Sequence, residues 1–129
     1  MGLSVVDTSV LVAFLEATDS HHAAAVAELT RVRANHDIVI STVVYAEVLV
    51  GPSQRGPKEE AVAEAFLSTI GGVETVSVPI ARRAARLRAR TGLKLPDAVV
   101  IATGLELDAD EILTADRRWA SVDRRVHLI

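Results

Sequence analysis

Four acidic residues stand where their type and spacing could do chemistry: Asp7, Glu47, Asp97 and Asp116. Asp7 ends the apolar run Leu3-Ser4-Val5-Val6, and Asp116 follows Glu111-Ile112-Leu113-Thr114-Ala115 in the same way. Short apolar runs of this kind predict buried parallel strands, and the carboxyl ends of such strands are where sites form in an open α/β sheet. Asp97 opens an apolar helix predicted over Ala98 to Leu107, and Glu47 lies within another, Val43 to Val50. That second helix is apolar nearly all round, so Glu47 is expected to be buried, and a buried carboxylate is costly unless a cation meets it. Taken alone, Asp7 could equally be a helix cap. If a sheet winds outward from a central first strand, however, all four acids can meet over its carboxyl edge. Four carboxylates in one cleft repel, and protonation or a metal must relieve them. With oxygen donors only and no Cys in the chain, the fitting ions are hard, Mg²⁺ or Mn²⁺. Such a centre activates a water and neutralises charge on a phosphodiester.

The elements that must position these acids follow from the apolar periodicity. After the first strand a helix is expected from Val10 to Glu16, capped by Thr8 or Ser9, then a second from His21 to about Ala34 with Ala25, Val26, Leu29 and Val32 facing the core. Asn35-His36-Asp37 reads as a turn and Ile38 to Ile40 as a strand. Gly51-Pro52 is expected to stop the Glu47 helix, leaving Pro52 to Pro57 as a mobile loop. Lys58 to Ile70 is a helix with Ala61, Ala65, Phe66 and Ile70 as its stripe, and Val73 to Val78 alternates as a strand. A helix over Ile80 to Arg90 buries Ile80, Ala84 and Leu87 and covers its outer surface with Arg82, Arg83, Arg86 and Arg90. A solvated face is the ordinary reading of such a charge run, and a phosphate-binding ridge at Arg82, Arg83 and Arg86 is the other. A helical turn at Arg117 to Ala120 and a strand at Val126 to Ile129 complete the chain. Adjacent His21 and His22 point about 100° apart on a helix, a poor arrangement for chelation. Alternating strands and helices predict an α/β fold around a parallel sheet.

At 129 residues and 50% hydrophobic content, one core is expected, filling residues 1–129 as a single domain. The absence of Cys removes disulfides, thiolate metal sites and a cysteine nucleophile. No apolar run approaches the roughly 20 residues that span a bilayer, and a soluble, cytoplasmic protein is the expectation. A net charge of -3 argues against indiscriminate coating of nucleic acid but leaves room for a local basic face. Arg makes up 12 of the 14 cationic residues, which suits forked contacts to phosphate or carboxylate and equally reflects a compositional bias.

Four segments carry a resemblance: Val5-Val6-Asp7-Thr8-Ser9, Val44-Tyr45-Ala46-Glu47-Val48-Leu49-Val50-Gly51, Leu95-Pro96-Asp97-Ala98-Val99-Val100-Ile101-Ala102 and Leu113-Thr114-Ala115-Asp116. In order and at this spacing they resemble the motifs of PIN-domain ribonucleases, and most of all the VapC toxins of VapBC toxin-antitoxin pairs. The resemblance implies a three-layer α/β/α domain with a mostly parallel central sheet. It further implies a Mg²⁺-dependent endoribonuclease (Mn²⁺ serving as well), usually a homodimer, neutralised by a VapB-like antitoxin. Asp7, Glu47, Asp97 and Asp116 fall on the family's acidic, metal-holding positions, and Ser9 and Thr114 on accessory hydroxyl positions that orient a carboxylate or water. Where many relatives carry a further acid or amide after the last Asp, this chain has Arg117-Arg118, which implies an indirect role for Asp116. Trp119 stands where an aromatic is common and is read as packing.

Rival classes fit less well. A phosphohydrolase of the aspartyl-phosphate type requires Asp two residues after Asp7, where Ser9 stands. A receiver-type signalling domain pairs two acids near its first strand and places a Lys after a late one, and neither feature is present. A catalytically silent PIN-like module that binds RNA or protein is the remaining alternative.

Overall fold

The computed structural model describes residues 2–129. Five strands run β1 (Gly2–Val6), β2 (His36–Ser41), β3 (Gly72–Glu74), β4 (Glu111–Thr114) and β5 (Val126–Leu128). Six helices intervene: α1 (Thr8–Leu15), α2 (His22–Asn35), α3 (Thr42–Arg55), α4 (Pro57–Ile70), α5 (Val78–Thr91) and α6 (Leu95–Glu106). All strand pairs are parallel, in the order β3-β2-β1-β4-β5. The helices pack around this sheet in the three-layer α/β/α arrangement expected for the family resemblance.

The strand order decides where a site can form. From β1 the chain winds one way through β2 and β3 and the other way through β4 and β5, so the gap between β1 and β4 is the point where the winding reverses. Asp7 leaves β1 on one side of this gap and Asp116 follows β4 on the other, and the backbone N–H of Asp7 extends the ladder by donating to the Leu113 carbonyl at 2.9 Å.

β1 is central because it is apolar on both faces, with Val5 and Val6 fully buried. α6 lies deepest of the helices, with every residue from Ala98 to Gly104 buried. A Cβ at Gly104 would come within 2.5 Å of Ile112 Cγ1, so glycine is what lets α6 approach β4 closely. α5 buries Ile80, Ala84 and Leu87 as its periodicity predicts, and Gly92 ends it in a left-handed conformation (φ 74°) that glycine adopts without steric cost.

Several boundaries differ from the sequence expectation. Gly51-Pro52 does not stop α3, which runs on to Arg55, so the expected mobile loop is mostly helix. Val44, Val48 and Pro52 form one buried stripe at four-residue spacing, and burying the proline ring outweighs the backbone hydrogen bond it cannot make. Only Gly56 (φ 121°) separates α3 from α4. α4 buries Ala63, Leu67 and Ile70, not Ala61 and Ala65, which are exposed; an alanine-rich helix offers two apolar stripes, and the larger Leu67 wins. Phe66 is half-buried and stacks on Phe14 at 5.4 Å between ring centroids. Val26 is left partly exposed on α2. No turn separates α2 from β2, which begins at His36. β3 is only three residues long, since Ser77 caps α5 by accepting the Ile80 N–H and draws Val78 into the helix.

The amino edge of the sheet is tied by a compensated network. Glu111 accepts from Arg31 at 2.8 Å and from the buried Ser4 hydroxyl at 2.9 Å, Arg31 also pairs with Glu28, and Ser4 bonds His36. No helix among the described residues is long and apolar enough to cross a membrane.

Because the Gly104 contact admits no extra carbon, Gly104→Ala is expected to cost about 1–3 kcal/mol through overpacking, despite the better helix propensity of Ala. Thermal denaturation followed by circular dichroism checks this; a melting temperature at or above wild type would show that Ile112 gives way freely.

Candidate active site at the carboxyl edge

Asp7 occupies the position before α1 but makes no side-chain cap bond there, which removes the capping explanation for its presence. Its Oδ2 instead accepts two hydroxyl hydrogen bonds, from Ser9 at 2.8 Å and from Thr114 at 2.9 Å. Thr8 and Ser9, the expected caps of α1, do not cap it either. Ser9 Oγ accepts the Ala115 N–H at 3.0 Å, and Thr114 Oγ1 accepts the Asp116 N–H at 3.0 Å. The two hydroxyls therefore lock the end of β1 to the segment leaving β4, and they fix one oxygen of a carboxylate that is only 6% exposed.

Asp97 lies in the first turn of α6, half-buried, and likewise serves no cap. Burial raises its pKa above the ordinary carboxylate range, and the charges of Asp7 and Asp116 push the same way. Burial also raises the pKa of Asp7, with the Ser9 and Thr114 hydroxyls working against it and the charge of Glu47 adding to it. Asp97 is thus within electrostatic reach of both Asp7 and Asp116. Glu47 differs from expectation. It is exposed, because the buried stripe of α3 runs through Val44 and Val48, so no cation is needed to offset burial. Its Oε1 accepts from Thr8 Oγ1 at 2.8 Å, which ties it to the residue after Asp7.

Asp116 is set apart by Arg118. The guanidinium donates to both oxygens, Nε to Oδ1 at 3.0 Å and Nη2 to Oδ2 at 2.6 Å, and Arg118 also donates its backbone N–H to Oδ1. This pairing holds the Asp116 carboxyl below its usual range, and Nη2 stands 4.0 Å from Asp97 Oδ2. Trp119, next along the 3-10 turn Arg117–Trp119, is fully buried and packs in the core. Thr8 and Arg118 are the residues that sequence reasoning missed as members of the site. Thr8 was legible only as a helix cap, and Arg118 only as a departure from pattern.

The donor set suits a hard divalent cation in kind: carboxylate and hydroxyl oxygens, with Asp7 and Asp97 each destabilised by burial and by a neighbouring acid. Among the described residues, no three acidic or imidazole groups are gathered tightly enough to hold an ion as they stand. The Arg118 guanidinium supplies positive charge to Asp116 in that arrangement. Elsewhere, His22 bonds the Ala13 carbonyl and His21 lies beside Asp19, so the two imidazoles do not converge. Arg82, Arg83 and Arg86 are exposed on α5 and outside the acidic cluster. Arg83 pairs with Glu106 at 2.8 Å, nine residues along α6 from Asp97 and so about 14 Å away by helical rise.

Parallel sheet, layered helices and acids at the winding reversal define a three-layer α/β/α protein with an acidic centre on its carboxyl edge. The PIN domain pattern matches residues 4–125, and the chain belongs to the PIN domain family. A search of curated proteins finds no significant match. Among solved structures the chain is similar to a toxin-antitoxin complex from Klebsiella pneumoniae, at 25% identity and TM-score 0.76 over 98% of this chain and 99% of that one. It is also similar to VapC20 of Mycobacterium tuberculosis, a sarcin-ricin loop cleaving toxin, at 25% identity and TM-score 0.67 over 84% and 86%. VapBC2 from Rickettsia felis, bound to a promoter DNA fragment, shares the fold at 14% identity and TM-score 0.78 over 98% and 97%. The likeness to VapC toxins that the four segments carry thus extends to the fold.

The direction of the Asp97 shift sets a pH dependence. A carboxyl whose pKa is raised in the folded state binds more protons there than in the unfolded chain, so stability falls as pH rises above its ordinary value of 3.8. With EDTA present, Asp97→Asn should melt above wild type at pH 7, and the difference should shrink as the pH is lowered toward 3.8. A variant that melts below wild type at pH 7 would show that the Asp97 carboxylate makes structural bonds at the start of α6.

Proposed function

We propose that this protein is a metal-dependent endoribonuclease of the VapC toxin type, acting in the cytoplasm as a homodimer and held inactive by a cognate antitoxin. The observation that carries the reading is the position of Asp7 and Asp97: two carboxylates at the winding reversal of the sheet, neither used as a cap, each disfavoured by burial and by the charge of neighbouring acids. Groups kept at such a cost mark functional sites.

Asp7 and Asp97 would hold Mg²⁺ or Mn²⁺, with Glu47 and Asp116 contributing charge from the rim. When bound, the ion supplies Lewis-acid activation of a water and neutralises charge on the scissile phosphodiester. The chain's own residues supply the rest. Ser9 and Thr114 hold the Asp7 carboxylate in one orientation, so its second oxygen is presented without a search through rotamers. Arg118 keeps Asp116 ionised, which fits the indirect role that the Arg117-Arg118 pair implies for it. Thr8 holds Glu47 toward the same edge.

The antitoxin reading is supported by a groove of about 420 Å³ beside the site, between α1, α3 and α4. Val12, Leu15, Val50 and Val62 line it and are exposed, while Glu16, Glu47 and Glu59 outnumber the single cation Arg55 on its wall. An apolar floor with acidic walls suits an amphipathic segment that carries Arg or Lys.

Asp7→Asn and Asp97→Asn keep shape and remove charge. Each should lower RNA cleavage with Mn²⁺ by more than the roughly 10–100-fold that loss of a group supporting a metal ligand costs, with an unchanged circular dichroism spectrum. Cleavage near the wild-type rate in either variant, or wild-type cleavage that persists in EDTA, would refute the metal-dependent site. For the partner, Val50→Glu should weaken inhibition by the cognate antitoxin at least tenfold while RNA cleavage by the free protein stays within twofold. Undiminished inhibition would place the antitoxin elsewhere.

A further inference from the structure

The protein is acidic overall, with a net charge of -3, yet α5 carries five arginines and no acid in the segment Val78–Thr91. Arg82, Arg86 and Arg90 recur at four-residue spacing and line one hollow of about 360 Å³, floored by Leu87 and shared with Arg83 and Glu106. Arg83 is neutralised by Glu106. Arg82, Arg86 and Arg90 form no ion pair among the described residues. The ridge that the sequence places at Arg82, Arg83 and Arg86 is therefore, in available charge, Arg82, Arg86 and Arg90, a line of about 12 Å by helical rise.

This line leads to the acidic edge. Arg90 lines a second recess together with Arg118, and Arg118 lies on Asp116 and 4.0 Å from Asp97. Guanidinium groups thus succeed one another from the middle of α5 to the rim of the carboxylates. Uncompensated arginines in exposed, open hollows keep their forked donors available, the geometry that phosphate oxygens accept. A single row suits one strand whose phosphates pass in sequence, and the approach to a cluster of acids requires just such a positive guide for a polyanion.

We propose that Arg82, Arg86 and Arg90 form a track for the phosphate backbone of single-stranded RNA flanking the cleavage point, ending at Arg118, whose donors are held by Asp116. The proposal rests on the ribonuclease reading above, and it adds where the substrate lies outside the carboxylates and which contacts hold it without reading sequence.

The test compares two double variants that remove equal charge, Arg86→Gln/Arg90→Gln on the track and Arg33→Gln/Arg124→Gln at the amino edge, where both residues are exposed. A mixed-sequence 20-nucleotide single-stranded RNA is titrated in EDTA over a range of salt, followed by anisotropy, at concentrations where the proteins run at the same mass. Each phosphate contact on a single strand contributes about 0.7 to the slope of log affinity against log salt. The track variant should lose about 1.4 of that slope, and the amino-edge variant should keep the wild-type slope. Equal loss in both variants, or none in the track variant, overturns the track, and if wild type still cleaves RNA with Mn²⁺ the ribonuclease reading survives. Wild type that neither binds nor cleaves the RNA overturns that reading and the track with it.

Discussion

One carboxylate oxygen organises the carboxyl edge. Asp7 Oδ2, buried at the end of the central strand, is held by hydroxyls from Ser9 and Thr114, and these in turn take backbone N–H groups from Ala115 and Asp116. A charge at this depth is expensive to desolvate, and the two hydroxyls offset only part of that cost, since the Asp7 pKa remains raised. The same four bonds join the chain's seventh residue to its last long crossover. The path from β4 toward Asp116 and Arg118 is consequently tied to Asp7.

From this clasp outward, the acids divide by how they are compensated. Asp116 has its own cation in Arg118, and Glu47 is solvated and hydrogen-bonded to Thr8. Asp7 and Asp97 have burial and the charge of neighbouring acids, and neither is hydrogen-bonded to a cation, although Arg118 and Lys94 act on Asp97 from a distance. For Asp97 and Asp116 the division follows from the cation and not from exposure, which is alike for the two side chains: Arg118 donates to Asp116 and stands 4.0 Å from Asp97. It also explains why Arg118 belongs to two descriptions at once, as the counter-ion of Asp116 and as the last guanidinium of the row that begins on α5.

Most of the fold was legible because its signals are strong and local: the uninterrupted apolar runs of β1 and β4, the Ile80, Ala84 and Leu87 stripe, and Gly92 in the place where α5 stops. What was not legible depends on tertiary choice. Pro52 is a breaker in isolation, and only the buried partners of Val44 and Val48 carry the helix through it. Alanines at 61, 63 and 65 give α4 no unique face until Leu67 finds the core. Glu47 among apolar neighbours suggested burial, yet on a helix a residue's sequence neighbours are not its spatial ones, and its face looks outward. At the site, the residue types of Asp7, Ser9, Asp97, Thr114 and Asp116 could be picked out from their places at element ends. The partnership of Ser9 with Thr114, 105 residues apart in sequence, and the seat of Arg118 could not, because they exist only once β1 and β4 are side by side.

The two edges of the sheet also differ in how their groups are satisfied. At the amino edge, Ser4, Glu28, Arg31, His36 and Glu111 bind one another across α2, β1, β2 and β4 with each acid matched by a base. At the carboxyl edge, like charges face each other. The amino edge therefore holds its acids by bonds already made, whereas Asp7 and Asp97 carry a cost of burial that their partners do not fully offset. The sheet thus keeps its ion pairs at one end and its electrostatic strain at the other, so a change of pH or of local charge acts on stability through the carboxyl edge first.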